Sequence, residues 1–283
     1  MKDDHAIVFP YWKSKLLNRG FEMKNFLRQV FVLLTVIATI IINILADALP
    51  INGLHTGQIS DTFHVYFVPA GYVFAIWGLI YIGLISYAAF QALPSQKDNP
   101  RLQATGWWVS LGGLANSAWI FLWHYKQFPF TLLAMLTLLA TLVLTYLKLG
   151  TGKTKVSPAE MWAVRVPFSI YLGWITVATV ANVSDVLDFV KWNQFGLSAA
   201  TWMVIILGVV LVITGLMNFL HRDVAYAAVI LWALAGIAIK FPHGGIVTVA
   251  TWITFGLVAA TLVRSLHVQS RKKEPKINTD ELI

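Results

Sequence analysis

Cysteine is absent from all 283 residues, and only 12% of the chain is charged. Without cysteine there are no disulfide scaffolds, thiolate metal sites, iron–sulfur clusters or cysteine nucleophiles, and the redox compartment leaves no trace. So little charge excludes an ordinary water-soluble enzyme, because soluble domains are roughly 25% charged. Catalytic signatures are missing too: no Gly-rich phosphate loop, no HExxH helix and no GxSxG elbow. Deep ionisable groups, the usual mark of ion-coupled transport, are not evident either. All 13 carboxylates read as loop or span-end residues, with Asp47, Asp61, Asp185 and Asp188 gathered on one side. The histidines fall in similar places, among them His55, His64, His124 and His243. No acid–base pair or ligand cluster emerges, so the expectation is a non-enzyme with no metal and no resident cofactor.

What the chain does contain is apolar sequence in long runs, 58% of all residues with a mean hydropathy of +0.69. Uncharged stretches at 29–46, 62–96, 102–125, 127–147, 166–184, 192–221, 224–239 and 241–263 give eight candidate spans. A helix needs about 20 mainly apolar residues to cross a hydrocarbon core of roughly 30 Å. The spans are accordingly placed near 27–47, 72–92, 106–124, 129–149, 166–187, 199–219, 224–241 and 246–266. The seventh is the shortest, and Lys240 at its end completes the crossing by reaching to the interface. The fold class is all-α, a polytopic membrane helix bundle of about eight transmembrane helices.

With these spans, 18 of the 21 basic residues fall on one side, and only Lys126, Lys191 and Lys240 on the other. This positive-inside asymmetry puts both termini in the cytoplasm and best fits a bacterial inner membrane. It also accounts for the net charge of +8 without nucleic acid: the basic loops and tails meet anionic lipid. Residues 1–26 read as a cytoplasmic arm and 267–283 as a disordered basic tail.

The polar residues inside the spans are neutral amides, Asn43, Asn116, Asn182 and Asn218, which serve either as hydrogen-bonding glue between helices or as ligand contacts. Gly113 with Ser117, and Gly256 with Ala260, are spaced to let helices approach closely. Of the 12 tryptophans, Trp107, Trp108, Trp123, Trp162 and Trp192 suit an interfacial belt, whereas Trp77, Trp119 and Trp174 fall well inside spans. An aromatic surface facing the bundle interior can hold a flat apolar ligand.

Three segments carry a family likeness. The second span reads Pro69-Ala-Gly-Tyr72-Val-Phe74-Ala-Ile-Trp77-Gly-Leu-Ile-Tyr81, the third Leu114-Ala-Asn116-Ser-Ala-Trp119-Ile-Phe-Leu-Trp123, and the fifth Trp174-Ile-Thr-Val-Ala178-Thr-Val-Ala-Asn182. In order and spacing these resemble the tryptophan-rich sensory protein family, which includes the translocator protein, or peripheral-type benzodiazepine receptor. The likeness covers about residues 27–187. Departures are Tyr72 in place of a common Trp, Ala75 or Ile76 where a proline is usual, Trp123 in place of Phe, and Pro167 one turn early. The three spans after residue 195 have no counterpart in the five-helix members.

The resemblance implies a five-helix bundle with a first loop folded over a pocket for flat apolar molecules such as porphyrins, and in animal members sterols and synthetic drugs. The segment 48–71, free of Lys and Arg, suits such a lid, although the sequence alone favours a plain connector. The implied organisation is a bundle at 27–190 and a three-helix extension at 191–266. The candidate ligand-binding residues are Phe74, Trp77 and Tyr81; Asn116, Trp119 and Trp123; and Tyr171, Trp174 and Asn182, each set on one helical face. The expected partners are membrane lipid, a hydrophobic porphyrin-like small molecule and a second copy of the chain, with Gly208, Gly215, Gly236 and Gly256 suited to a homodimer contact. The functional expectation is a sensor or carrier of a flat lipophile. A secondary transporter of a small metabolite is the alternative, and light-driven porphyrin breakdown a third.

Overall fold

A computed structural model describes the backbone of residues 5–49 and 51–273 and the side chains of 22–49 and 51–268. Among the described residues there is no strand. The helices are α1 (His5–Ala48), α2 (Thr56–Ser60), α3 (Ile76–Ala92), α4 (Pro100–His124), α5 (Phe128–Lys148), α6 (Pro158–Glu160), α7 (Val166–Phe189), α8 (Ala199–Leu220), α9 (Val224–Lys240) and α10 (Ile246–Lys273). A 3-10 turn at Gly71–Ala75 leads into α3, and a π-helical segment at Met161–Arg165 joins α6 to α7.

Eight of these helices are long, at the eight expected places. Six segments meet the length and apolarity of a membrane crossing: Glu22–Ala48, Gly71–Ala92, Phe128–Lys148, Pro158–Phe189, Ala199–Leu220 and Ile246–Val268. α9, with 17 residues, is shorter, and α4 is less apolar because Arg101, Thr105, Ser110, Asn116 and His124 lie along it. Of these, Thr105, Ser110, Asn116 and His124 are buried, so the polarity of α4 is turned toward protein.

Local sequence sets the helix starts. Asn99 accepts from Arg101 N ahead of Pro100, Ser157 accepts from Glu160 N ahead of Pro158, Ser198 accepts from Thr201 N, and Asp223 accepts from Tyr226 N. α1 runs back to His5, so the expected arm at 1–26 continues the first span as helix from that point; residues 1–4 lie outside the described part. α10 likewise extends to Lys273, past the expected start of the tail at 267, because Arg and Lys are good helix formers once outside lipid. Residues 274–283 of that tail lie outside the described part.

α1 packs on α3 and α4, α4 on α5, and α3, α5 and α9 on α7, while α10 lies along both α8 and α9. Small residues permit several of these approaches. A Cβ placed on Gly113 would stand 2.7 Å from Thr39 Oγ1 of α1, and one on Gly112 2.7 Å from Thr141 Oγ1 of α5. The spacing noted at Gly256 has no such neighbour. All four span asparagines bridge helices. Asn43 Nδ2 donates to Asn116 Oδ1 at 2.6 Å, Asn116 Nδ2 to Tyr171 OH at 3.1 Å, Asn182 Nδ2 to Thr131 Oγ1 at 2.9 Å and Asn218 Nδ2 to Thr261 Oγ1 at 2.9 Å.

The C-terminal helices are docked on the site region through α9. Trp232 Nε1 donates to Val73 O at 3.1 Å, Ala70 N donates to Gly236 O at 3.2 Å, and a Cβ on Gly236 would fall 2.2 Å from Val73 Cγ2. Val73 is fully buried and its short branched side chain has nowhere to move. Gly236→Ala is therefore expected to cost about 1–3 kcal/mol by overpacking, read as a lower melting temperature, and Val73→Ala in the same chain should restore most of it. If the two substitutions are simply additive, α9 does not seat on the 71–75 turn in this way.

Candidate ligand-binding site

The expected site residues gather around the ends of α1, α3, α4 and α7 that adjoin the 48–71 connection. At the opposite end α1 and α3 are tied by a reciprocal pair: Gln29 Nε2 donates to Gln91 O at 2.6 Å and Gln91 Nε2 to Gln29 O at 3.0 Å. The site end has no such tie, and a cleft of about 520 Å³ lies there, lined by Asn43 and Asp47 of α1, Phe74, Trp77 and Tyr81, Trp119, and Thr56 and Gly57 of α2. Behind it, toward α7, is an inner cavity of about 60 Å³ bordered by Phe74, Trp77, Asn116, Trp119, Trp123, Trp174, Asn182, Asp185, Thr56 and Ser60. Phe74, Trp77, Trp119 and Thr56 belong to both linings and form the partition between them.

The rings are held in fixed orientations. Trp77 stacks on Tyr81 with centroids 5.7 Å apart, and Trp119 on Trp123 at 5.1 Å. Trp77 meets Tyr171 and Trp174 edge-on at 6.1 and 6.3 Å, and Phe74 meets Trp174 edge-on at 5.6 Å. Such offset and edge-on contacts each contribute about 0.5–1.5 kcal/mol beyond burial, so the aromatic wall is rigid before any ligand arrives. Trp119 Nε1 donates to Asn182 Oδ1 at 3.4 Å, which aims its ring along the partition.

Eight of the nine expected residues line one or both cavities. Tyr171 borders neither; it sits behind Trp77, and its hydroxyl accepts from Asn116. Tyr81 reaches the outer cleft alone, and Trp123, Trp174, Asn116 and Asn182 the inner cavity alone.

The 51–60 segment closes the site from above and is latched to the end of α4. Trp123 Nε1 donates to Thr56 O at 3.2 Å, and Asn52 Nδ2 to His124 O at 3.0 Å. Thr56 Oγ1 lies 3.5 Å from His124 Nε2. His124, expected at a solvated end, is fully buried as part of this latch, with Nδ1 2.8 Å from Ile120 O. Ile59, 1% exposed, packs in a small cluster with Trp123, Phe128 and Val186.

Asn43 of α1, a span amide outside the expected set, also lines the cleft, and three contributions were not legible as site residues: Asp47 of α1, the α2 hydroxyls, and Asp185. Asp185 reads in the sequence as one of several span-end carboxylates, but α7 continues to Phe189 and carries it inward, 3% exposed and on the inner cavity. Its position three residues after Asn182 was the available signal, since that spacing places both on one helical face. A further cavity of about 440 Å³ lies between α7, α8 and the 64–67 segment, edged by Asp188, Lys191, Trp192 and Trp202.

A bundle of long apolar helices enclosing an aromatic-walled cavity under a latched loop defines a polytopic integral membrane protein of the translocator kind. A family model described as TSPO-like protein matches residues 29–264, and the chain belongs to that family. The match extends beyond the motifs that carry the sequence likeness, which end near residue 187, and takes in α8, α9 and most of α10. No curated protein matches the chain, and no solved structure does.

Proposed function

We propose that the protein binds a flat lipophilic ligand of tetrapyrrole type in the outer cleft, against the Trp77–Trp119 partition, and acts as a sensor or carrier rather than as an enzyme. The observation that carries this reading is the size and lining of the cleft. Its volume of about 520 Å³ falls within the roughly 300–1,000 Å³ usual for small-molecule sites, and Phe74, Trp77, Tyr81 and Trp119 give it an aromatic wall, with Asn43, Asp47 and Thr56 as orienting polar groups. Membership of the TSPO-like family supports the same class of ligand. Membrane insertion with both termini cytoplasmic, in a bacterial inner membrane, belongs to this reading. So do the division into a ligand-binding bundle at 27–190 and an extension at 191–266, and a homodimer contact through the exposed Gly208 and Gly256; of the other two glycines expected there, Gly236 is taken up against Val73 and Gly215 is buried within the chain.

The test is a titration of purified protein in detergent with protoporphyrin IX, following tryptophan fluorescence. Saturable quenching at micromolar ligand is expected, with affinity lowered about tenfold or more by Trp119→Ala, which removes one side of the partition. Quenching that never saturates, or is indifferent to Trp119→Ala, would remove the reading.

A second reading, secondary transport of a small metabolite, gains from one finding: Asp185 is an ionisable group buried inside a span, which is how coupling residues are placed. Uptake into proteoliposomes that requires an imposed ion gradient would favour it.

A further inference from the structure

The inner cavity contains a carboxyl group that the protein itself leaves unpaired. Asp185 is 3% exposed, its Oδ1 is buried without a hydrogen-bond partner, and it faces the cavity beside Asn182, Ser60 and Thr56. Asn182 and the Thr56 carbonyl beside Asp185 are already engaged, and neither Ser60 nor Trp174 donates to it. Asn182 donates to Thr131 and accepts from Trp119, and the Thr56 carbonyl accepts from Trp123. Lys240, the described cation closest in kind to a counter-ion, is bonded to Asp61 Oδ1 at 3.3 Å. A buried carboxyl is costly unless something donates to it, and a group held in the cavity can supply that donor.

Size, sign and walls then narrow the donor. The inner cavity, about 60 Å³, has room for two waters at about 30 Å³ each, or for a substituted ammonium group, and none for a ring system. The carboxylates on the two cavity linings are Asp185 and Asp47, the remaining titratable side chain is the Tyr81 phenol, and neither lining carries Lys, Arg or His. Phe74, Trp77, Trp119, Trp123 and Trp174 present aromatic surfaces to the same space, and ring faces attract cations. Trp174 Nε1, on the inner cavity, is also buried without a partner.

We propose that the site recognises a lipophilic amine. Its flat apolar body occupies the outer cleft, and its protonated nitrogen passes between Trp77 and Trp119 into the inner cavity, against Asp185. This rests on the aromatic-cleft reading above and narrows its ligand from flat lipophile to flat lipophilic cation. Protoporphyrin IX, whose side-chain carboxylates have the wrong sign for the inner cavity, binds through its ring in the outer cleft and leaves Asp185 unmatched.

The experiment compares three tricyclic probes on the purified full chain in an uncharged detergent: 9-(2-aminoethyl)acridine, whose side-chain ammonium is charged at neutral pH; neutral acridine; and anionic acridine-9-carboxylate. The expected order is the aminoethyl compound tightest, by about tenfold or more over acridine, and the carboxylate weakest. Asp185→Asn should bring the amine and neutral affinities together, and Asp185→Glu should retain a preference for the amine. Equal affinities for 9-(2-aminoethyl)acridine and acridine in the unaltered protein, a comparison that needs no variant, would overturn the proposal; so would an amine preference that survives Asp185→Asn. Acridine binding that Trp119→Ala weakens, with no amine advantage, would overturn the role of Asp185 alone and leave water as the occupant of the inner cavity. Absence of binding by all three probes, or binding indifferent to Trp119→Ala, would overturn the aromatic cleft as well.

Discussion

Ile59→Asp is expected to raise the dissociation rate of bound protoporphyrin IX by about a hundredfold while leaving the melting temperature of the helix bundle close to that of the unaltered protein. Ile59 is the apolar anchor of α2, 1% exposed and packed on Trp123, Phe128 and Val186. Burying an isoleucine side chain is worth about 1.5–3 kcal/mol, and an aspartate in its place would also have to shed its hydration. Against this stand the latch bonds from Trp123 to Thr56 and from Asn52 to His124, each worth only about 1 kcal/mol net. The balance turns against closure, and a closed-state penalty near 2.7 kcal/mol corresponds to about two decades in rate. The bundle itself should be little affected, because α2 is a single short helix lying on the end of α4. The measurement is a stopped-flow chase of bound porphyrin with apo-protein, with Ile59→Val as a conservative control that should change the rate only slightly. An unchanged dissociation rate in a folded Ile59→Asp protein would mean that the 51–60 segment is a connector and not a lid.

That connector-or-lid choice shows where the sequence stops being informative. Charges interrupt the apolar runs at regular intervals, so the existence and approximate limits of eight helices follow from counting, and the 3.6-residue period puts Phe74, Trp77 and Tyr81, or Asn116, Trp119 and Trp123, on shared faces. Which residues of 48–71 touch the bundle is a different kind of fact. Thr56 and Asn52 meet Trp123 and His124 across some 70 positions, and composition and period carry no trace of such pairings.

Asp185 was hidden for a related reason. In the sequence it reads as a residue of the solvated span end, yet a helix that is covered by neighbours rather than lipid tolerates an aspartate in its last turns, and α7 is the most buried of the candidate spans. Tyr171 shows the reverse error of detail: it shares a face with Trp174 and Asn182, but a neighbouring ring, Trp77, stands between it and the cleft. The cleft itself depends on α1 and α3 being tied at one end by Gln29 and Gln91 and free at the other, a geometry that neither helix's sequence states alone.

The largest effect on stability is expected at Arg165, a residue remote from the cleft. It is 1% exposed on the π-helical turn ahead of α7, and its guanidinium serves the connection that follows α5. Nη2 donates to Leu149 O at 2.7 Å and to Thr154 Oγ1 at 2.5 Å, and Nη1 donates to Thr154 O at 2.5 Å. Gly150 and Gly152 hold left-handed backbone with φ of 63° and 77°, so this connection is a tight fold whose carbonyls point inward and depend on a donor. Nearby, Arg101 and Glu160 form a two-pronged ion pair at 2.5 and 2.8 Å, fixing the start of the same helix to α4. Arg165→Leu would leave the Leu149 and Thr154 carbonyls without their donor, and bonds to a charged group are worth about 1.5–3 kcal/mol each. Removing the buried charge returns part of that, because its own desolvation cost disappears. A net loss of about 2–4 kcal/mol is expected, seen as a clear fall in melting temperature in detergent. Arg165→Lys should fall nearly as far, since a single ammonium cannot reproduce a fork that spans two carbonyls and a hydroxyl. If lysine restores the unaltered melting temperature, positive charge alone is what the turn requires; if leucine does, the connection is held by its own backbone and by the His221 Nδ1 contact with Thr151 O at 2.9 Å.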